Sequence, residues 1–129
     1  MSYEAWGEPD DSPFEAAAEA GWLNPDDISK AMIDVMNERD RQWNDEGFDP
    51  DHDNTHTDAS LARAGACYAL KASENPTQYQ PPGLISILWP NSWSWGWWKP
   101  KDRRRDLVRA AALIIAEIER LDRLQDPKR

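Results

Sequence analysis

The chain has 129 residues, 40% apolar and 30% charged, with a net charge of −9. That is room for one domain with a modest core, and no apolar run approaches membrane-spanning length. The acidic balance argues against general DNA or RNA binding, because the phosphate term would be repulsive over most of the surface. The lone Cys67 has no internal disulfide partner, and the N-terminus lacks a basic region followed by an apolar run. Both point to the cytoplasm.

In chain order, residues 1–24 read as an acidic arm and 25–129 as a single helical domain. Within the arm, Ser12-Pro13-Phe14-Glu15 has the form of a capping box, so a short helix over about 13–20 is expected, stopped by Gly21. Asn24-Pro25-Asp26-Asp27 is a helix start. Ile28, Met32, Val35, Met36 and Trp43 then recur at helical spacing, which predicts a helix over about 25–46. Glu38 and Arg41 or Gln42 fall on one of its faces and read most simply as solvated ion pairs.

Residues 47–58, GFDPDHDNTHTD, are punctuated by Gly47, Pro50 and Asn54 and read as a connector. The acids and His52 and His56 within it have the chemistry for a divalent metal, but in no specific ligand spacing. A hydrogen-bonded connector that caps helix ends and a direct ligand contact are the other readings. The next helix is expected over about 58–73, capped by Asp58 or Thr57, with a face of small residues suited to close packing. Cys67 reads there as a small buried hydrophobe. Residues 73–83 are a loop, and Leu84–Leu88 is either a short strand or one helical turn. The last helix is expected over about 100–124. Its apolar stripe, Leu107, Ala111, Ile114, Ile118 and Leu121, is widened by Val108, Ala112 and Ile115 and needs more than one neighbour. The predicted fold is therefore all-α, a small bundle of three main helices with a Trp-rich irregular loop, assembled as a homo-oligomer.

That loop holds the strongest functional signal. Five of the eight tryptophans, Trp89, Trp93, Trp95, Trp97 and Trp98, fall within ten positions, and Lys99, Lys101, Arg103, Arg104 and Arg105 follow. Five tryptophans from one irregular segment cannot all point inward, so at least one is expected to line a pocket or interface. Cations in the first turn of a helix are disfavoured by the dipole. A bound anion would explain them, and so would pairing with the acidic arm or a neighbouring subunit. Flat π-faces beside guanidiniums suit a ligand with flat rings and negative charge, of which a nucleotide is the commonest. The candidate ligand-binding residues are Trp95, Trp97, Trp98, Lys99, Lys101, Arg103, Arg104 and Arg105, with Gln42 and His56 to read a base edge.

A magnesium-dependent nucleoside triphosphate pyrophosphohydrolase would instead need several acids on facing helices. Glu38, Glu119 and Asp122 are the candidates, and Glu119 and Asp122 share a helix face. Glu117 joins them as a further acid of the last helix. The second acid wanted near Glu38 is absent, since positions 41 and 42 are Arg and Gln.

The strings ERDRQWNDEGFDPDHDNTH, LARAGACYAL and WWKPKDRRRDLVRAAALIIAEIERLDR together resemble a widespread family of small phage and prophage proteins, over roughly residues 37–124. The resemblance implies a protein acting inside an infected bacterium. Two phage groups offer a comparison: nucleotide sponges of the anti-CBASS kind, which sequester cyclic nucleotide signals without a cofactor, and all-α pyrophosphohydrolases of the MazG type, which use magnesium. The MazG pattern, E-x-x-E followed by E-x-x-D, is met here only in its second half, Glu119 to Asp122. The reading is thus binding without turnover, with pyrophosphohydrolysis or an acidic protein-binding inhibitor as alternatives.

Overall fold

A computed structural model of the chain describes residues 16, 19–21, 25–46 and 58–125. The described residues are helical and contain no strand: α1 (Lys30–Glu46), α2 (Ser60–Ala72), the short α3 (Leu84–Leu88) and α4 (Arg103–Gln125). Single 3₁₀ turns occupy Pro25–Asp27 and Trp95–Trp97. None of these helices is long and apolar enough to cross a membrane. The run Leu84–Leu88, ambiguous by pattern, is helical.

The chain divides into two units, Met1–Ile33 and Asp34–Arg129. In the first, Ala16 and Glu19 are helical, the Ala20 N–H donates to the Ala16 carbonyl, and Gly21 turns the chain at φ +75°. The helix predicted from residue 25 is interrupted. Its proline-led start forms only a 3₁₀ turn, and α1 begins at Lys30 because Ser29 accepts the Met32 N–H through its hydroxyl at 3.2 Å.

The second unit is built on α2 against α4. Leu61, Ala64, Cys67 and Tyr68 of α2 meet Ala110, Leu113 and Ala116 of α4, and Trp89 closes the cluster. Small residues set the spacing. A Cβ added at Gly65 would lie 3.1 Å from Ile114 Cγ1 and 3.2 Å from the Ala110 carbonyl oxygen, so any side chain here would push the two helices apart by a few tenths of an ångström. Cys67 is fully buried, its Sγ 3.7 Å from the Ile85 carbonyl, and burial raises its thiol pKa against the opposing charge of Arg63. At the start of α2, Ala59 takes a left-handed conformation (φ 63°), and Asp58 accepts the Ser60 N–H at 3.2 Å. The other Asp58 oxygen accepts the Ser92 hydroxyl at 3.0 Å, tying the Trp-rich segment to this corner. The Ser60 and Ser92 hydrogen bonds hold the Asp58 carboxyl below its ordinary range.

α4 starts three residues later than predicted. Asp102 accepts the Arg105 N–H at 2.8 Å, and Asp106, 2% exposed, accepts the Lys101 N–H at 2.8 Å. Pro100 and Lys101 are thereby held outside the helix. The predicted core stripe of α4 also sits differently. The buried positions are Asp106, Val108, Ala110, Ala112, Leu113, Ala116, Glu117 and Arg120. Leu107, Ile114, Ile118 and Leu121, the apolar residues of strictest spacing, are exposed.

Candidate functional site

α1 meets α4 through long charged side chains. Glu38, 2% exposed, receives the Arg41 guanidinium in a two-pronged grip: Nε to Oε1 at 2.8 Å and Nη2 to Oε2 at 2.7 Å. Arg105 Nη2 reaches Glu38 Oε1 at 2.7 Å, and Gln42 Nε2 donates to Oε2 at 3.1 Å. Burial by itself pushes the Glu38 pKa up, but the hydrogen bonds and charge of Arg41, the charge of Arg105 and the Gln42 amide outweigh it and hold the carboxyl below its ordinary range. Outside this centre, Arg104 pairs with Asp34 at 2.9 Å and Arg39 with Glu119 at 3.1 Å.

Two members of the basic run, Arg104 and Arg105, therefore find carboxylates within the chain. At the start of α4 the Arg105 N–H is served by Asp102, while Asp106 turns back to the Lys101 N–H just before the helix. The sequence reading expected the helix N–H groups and the arginines to converge on one phosphate. Asp102 takes one of those N–H groups, and Arg104 and Arg105 turn to Asp34 and Glu38 instead.

Two depressions flank the Glu38–Arg41 pair. An open groove of about 410 Å³ is walled by Asp34, Asn37, Asp102, Arg104, Arg105 and Val108 together with that pair. A hollow of about 20 Å³ is walled by the same pair with Gln42, Tyr68, Trp93, Trp97, Lys99, Arg109 and Leu113. The volumes separate their capacities: the groove is of ligand size, whereas the hollow holds about one water. Gln42 Oε1 and Arg109 Nε, an acceptor and a donor on the walls of the hollow, are buried without a hydrogen-bond partner among the described residues.

Tyr68 fixes the Trp-rich segment over this hollow. Its hydroxyl donates to the Trp97 carbonyl and accepts the Lys99 N–H, both at 3.0 Å. Arg109 lies over the Tyr68 ring, 5.7 Å from its centroid, and donates to the Lys99 carbonyl. The tryptophans divide their roles as their number required. Trp89 is buried, Trp93 and Trp98 pack on the core, and Trp95 and Trp97 are 51% and 39% exposed. Trp98 lies 4.7 Å from the Tyr68 ring, and Trp95 stacks on Trp89 at 5.4 Å.

Of the ligand residues expected from sequence, Gln42, Trp97, Lys99, Arg104 and Arg105 share the walls of the two depressions. Trp95, Trp98, Lys101 and Arg103 line neither, and His56 lies outside the described residues, as does the 47–57 part of the connector. Sequence reasoning missed Asp34, Tyr68, Arg109 and the central place of Arg41. The i, i+3 spacing of Glu38 and Arg41 was the available signal, but spacing does not reveal that the pair is buried. The pyrophosphohydrolase acids are dispersed: Glu38 is held by two arginines, Glu119 by Arg39, Glu117 by Arg120, and Asp122 is exposed. Among the described residues, no three acidic, histidine or cysteine side chains are grouped as a metal ion would need. No protein-family profile, curated protein or solved structure matches the chain.

Proposed function

We propose that the protein binds a nucleotide or cyclic (di)nucleotide in the α1–α4 groove and releases it unchanged, without a metal. One observation carries this reading: Glu38 and Arg41 are a wall common to a groove fringed by Arg104 and Arg105 and to a hollow bordered by Trp93 and Trp97. A ligand with phosphate at the guanidiniums has indole edges within the same neighbourhood. Arg104 is the exchangeable cation. Its side chain is 56% exposed, and its pair with Asp34 is of the class worth about 0–1 kcal/mol. A phosphate oxygen makes a charge-assisted bond of the same kind to this exposed guanidinium, so its exchange for Asp34 costs little. Arg41 and Arg105, committed to the buried Glu38, shape the site and set its charge. The resemblance to phage proteins supports the biological role: sequestration of a nucleotide signal against host anti-phage defence.

The test is calorimetric titration with mononucleotides, cyclic mononucleotides and cyclic dinucleotides, with and without magnesium, followed by chromatography of the recovered ligand. Arg104→Ala and Trp97→Ala should each weaken binding at least about tenfold, a loss of about 1.4 kcal/mol, with helical circular dichroism unchanged. Pyrophosphate release in magnesium would replace this reading by hydrolysis. Absence of heat with every nucleotide would leave the protein-binding inhibitor in its place.

A further inference from the structure

The small hollow beside the groove carries two polar groups that the fold itself does not use. Gln42 is 3% exposed, and its amide orientation is fixed because Nε2 donates to the Glu38 carboxylate at 3.1 Å. Its Oε1 is therefore an acceptor, and it is buried without a hydrogen-bond partner among the described residues. Arg109 is anchored twice, by the Lys99 carbonyl at Nη1 and by the Tyr68 ring beneath its guanidinium. Its Nε–H is a donor, likewise buried and unpartnered among the described residues. Both residues wall the same space of about 20 Å³, which admits a single oxygen with its hydrogens. Leaving a buried donor and a buried acceptor unmade is costly, so the pair calls for one small group that serves both.

We infer that this hollow is a hydroxyl-selecting subsite, and that the hydroxyl it takes is the ribose 2′-OH of a bound ribonucleotide. Chemistry narrows the group. Among ligand groups of this size, an exocyclic amine only donates and a keto oxygen only accepts. A hydroxyl does both at one atom: it accepts from Arg109 Nε and donates to Gln42 Oε1. A water molecule has the same capacity and is the hydroxyl's competitor for the place. Connectivity selects the sugar. The hollow touches both Trp97, which is 39% exposed, and the Glu38–Arg41 pair that also walls the groove of Arg104 and Arg105. The sugar is the part of a nucleotide that joins a base, here on the indole, to phosphate, here in the groove. In 3′,5′-linked cyclic nucleotides the 3′ oxygen is esterified, so the 2′-hydroxyl is the one they share with ordinary ribonucleotides. This assignment rests on the nucleotide reading and adds to it a choice of ribose over deoxyribose.

The test is calorimetric titration of the full chain with AMP, GMP, their 3′,5′-cyclic forms, cyclic di-AMP and cyclic di-GMP, each beside its 2′-deoxy counterpart. The ribose form should bind at least about tenfold more tightly, a factor limited because water can take the hydroxyl's place in the deoxy complex. Gln42→Met keeps the length of the side chain but not the acceptor. It should weaken the ribose form and leave the deoxy form within about twofold, so that the two affinities converge. A merely structural loss would lower both together and keep their ratio. Should that variant unfold, Arg109→Lys, which deletes Nε and keeps the positive charge, reads the same convergence. Equal binding of ribose and deoxy forms by the wild type overturns the subsite while the nucleotide reading stands. So does a folded variant that retains the full ratio. Failure of every one of these ligands to bind overturns both.

Discussion

The two junctions made by α4 are opposites. Against α2 it uses glycine, alanine and leucine at close approach, sealed by Trp89 and Tyr68. Against α1 it uses Arg104, Arg105 and Glu119, which pair with Asp34, Glu38 and Arg39. An apolar contact of the first kind is insensitive to salt and loses stability when a methylene is removed. Contacts of the second kind have alternatives, because a guanidinium that has exchanged its carboxylate for another anion has lost little. The candidate site lies on the exchangeable side, and the Trp-rich segment is anchored on the other. The molecule thus combines a fixed aromatic wall with replaceable ion pairs.

The sharpest way to break this contrast is at its fixed side. Trp89→Ala should cost about 3–5 kcal/mol in urea unfolding, with little dependence on salt, since it removes a buried indole from the core. If its loss is small, the Trp-rich segment is an ornament on the bundle rather than part of its core.

A smaller effect is expected at the centre of the ionic side. Glu38→Ala leaves Arg41 and Arg105 facing each other and should cost about 2–3 kcal/mol, below the range for a fully buried pair because both guanidiniums keep some water. The same residue sets a pH window. Its folded pKa lies below the ordinary glutamate value, so its stabilisation is complete above the unfolded pKa and is lost as pH falls through the folded one. Wild-type stability should therefore decline below roughly pH 5, and Glu38→Gln should remove that part of the decline. An unchanged acid profile in Glu38→Gln would mean that other carboxylates govern it.

The smallest effect in stability is the most informative for function. Asp34→Asn removes the carboxylate that competes for Arg104 and should change stability by no more than about 1 kcal/mol. Nucleotide affinity should rise severalfold. If affinity falls instead, Asp34 is a ligand contact and the exchange scheme is wrong.

Helix periodicity, the proline and glycine punctuation and the small-residue face of α2 were legible because they report local backbone preference and one-dimensional spacing. So was the division among the tryptophans, since a short irregular segment cannot bury five indoles. Other features depended on packing. The Leu107–Leu121 spacing marks an apolar seam, but Gly65 admits α2 on the neighbouring face, and this leaves the seam open. The Arg103–Arg105 run marks an excess of cations at a helix start. Asp34 and Glu38 neutralise two of them from far along the chain, and Asp102 caps the Arg105 N–H. By itself, then, the sequence determined the helices and the chemical types gathered near the start of α4. Tertiary structure alone decided which charges meet and which apolar face stays open, because both depend on distances between residues that spacing along one helix does not contain.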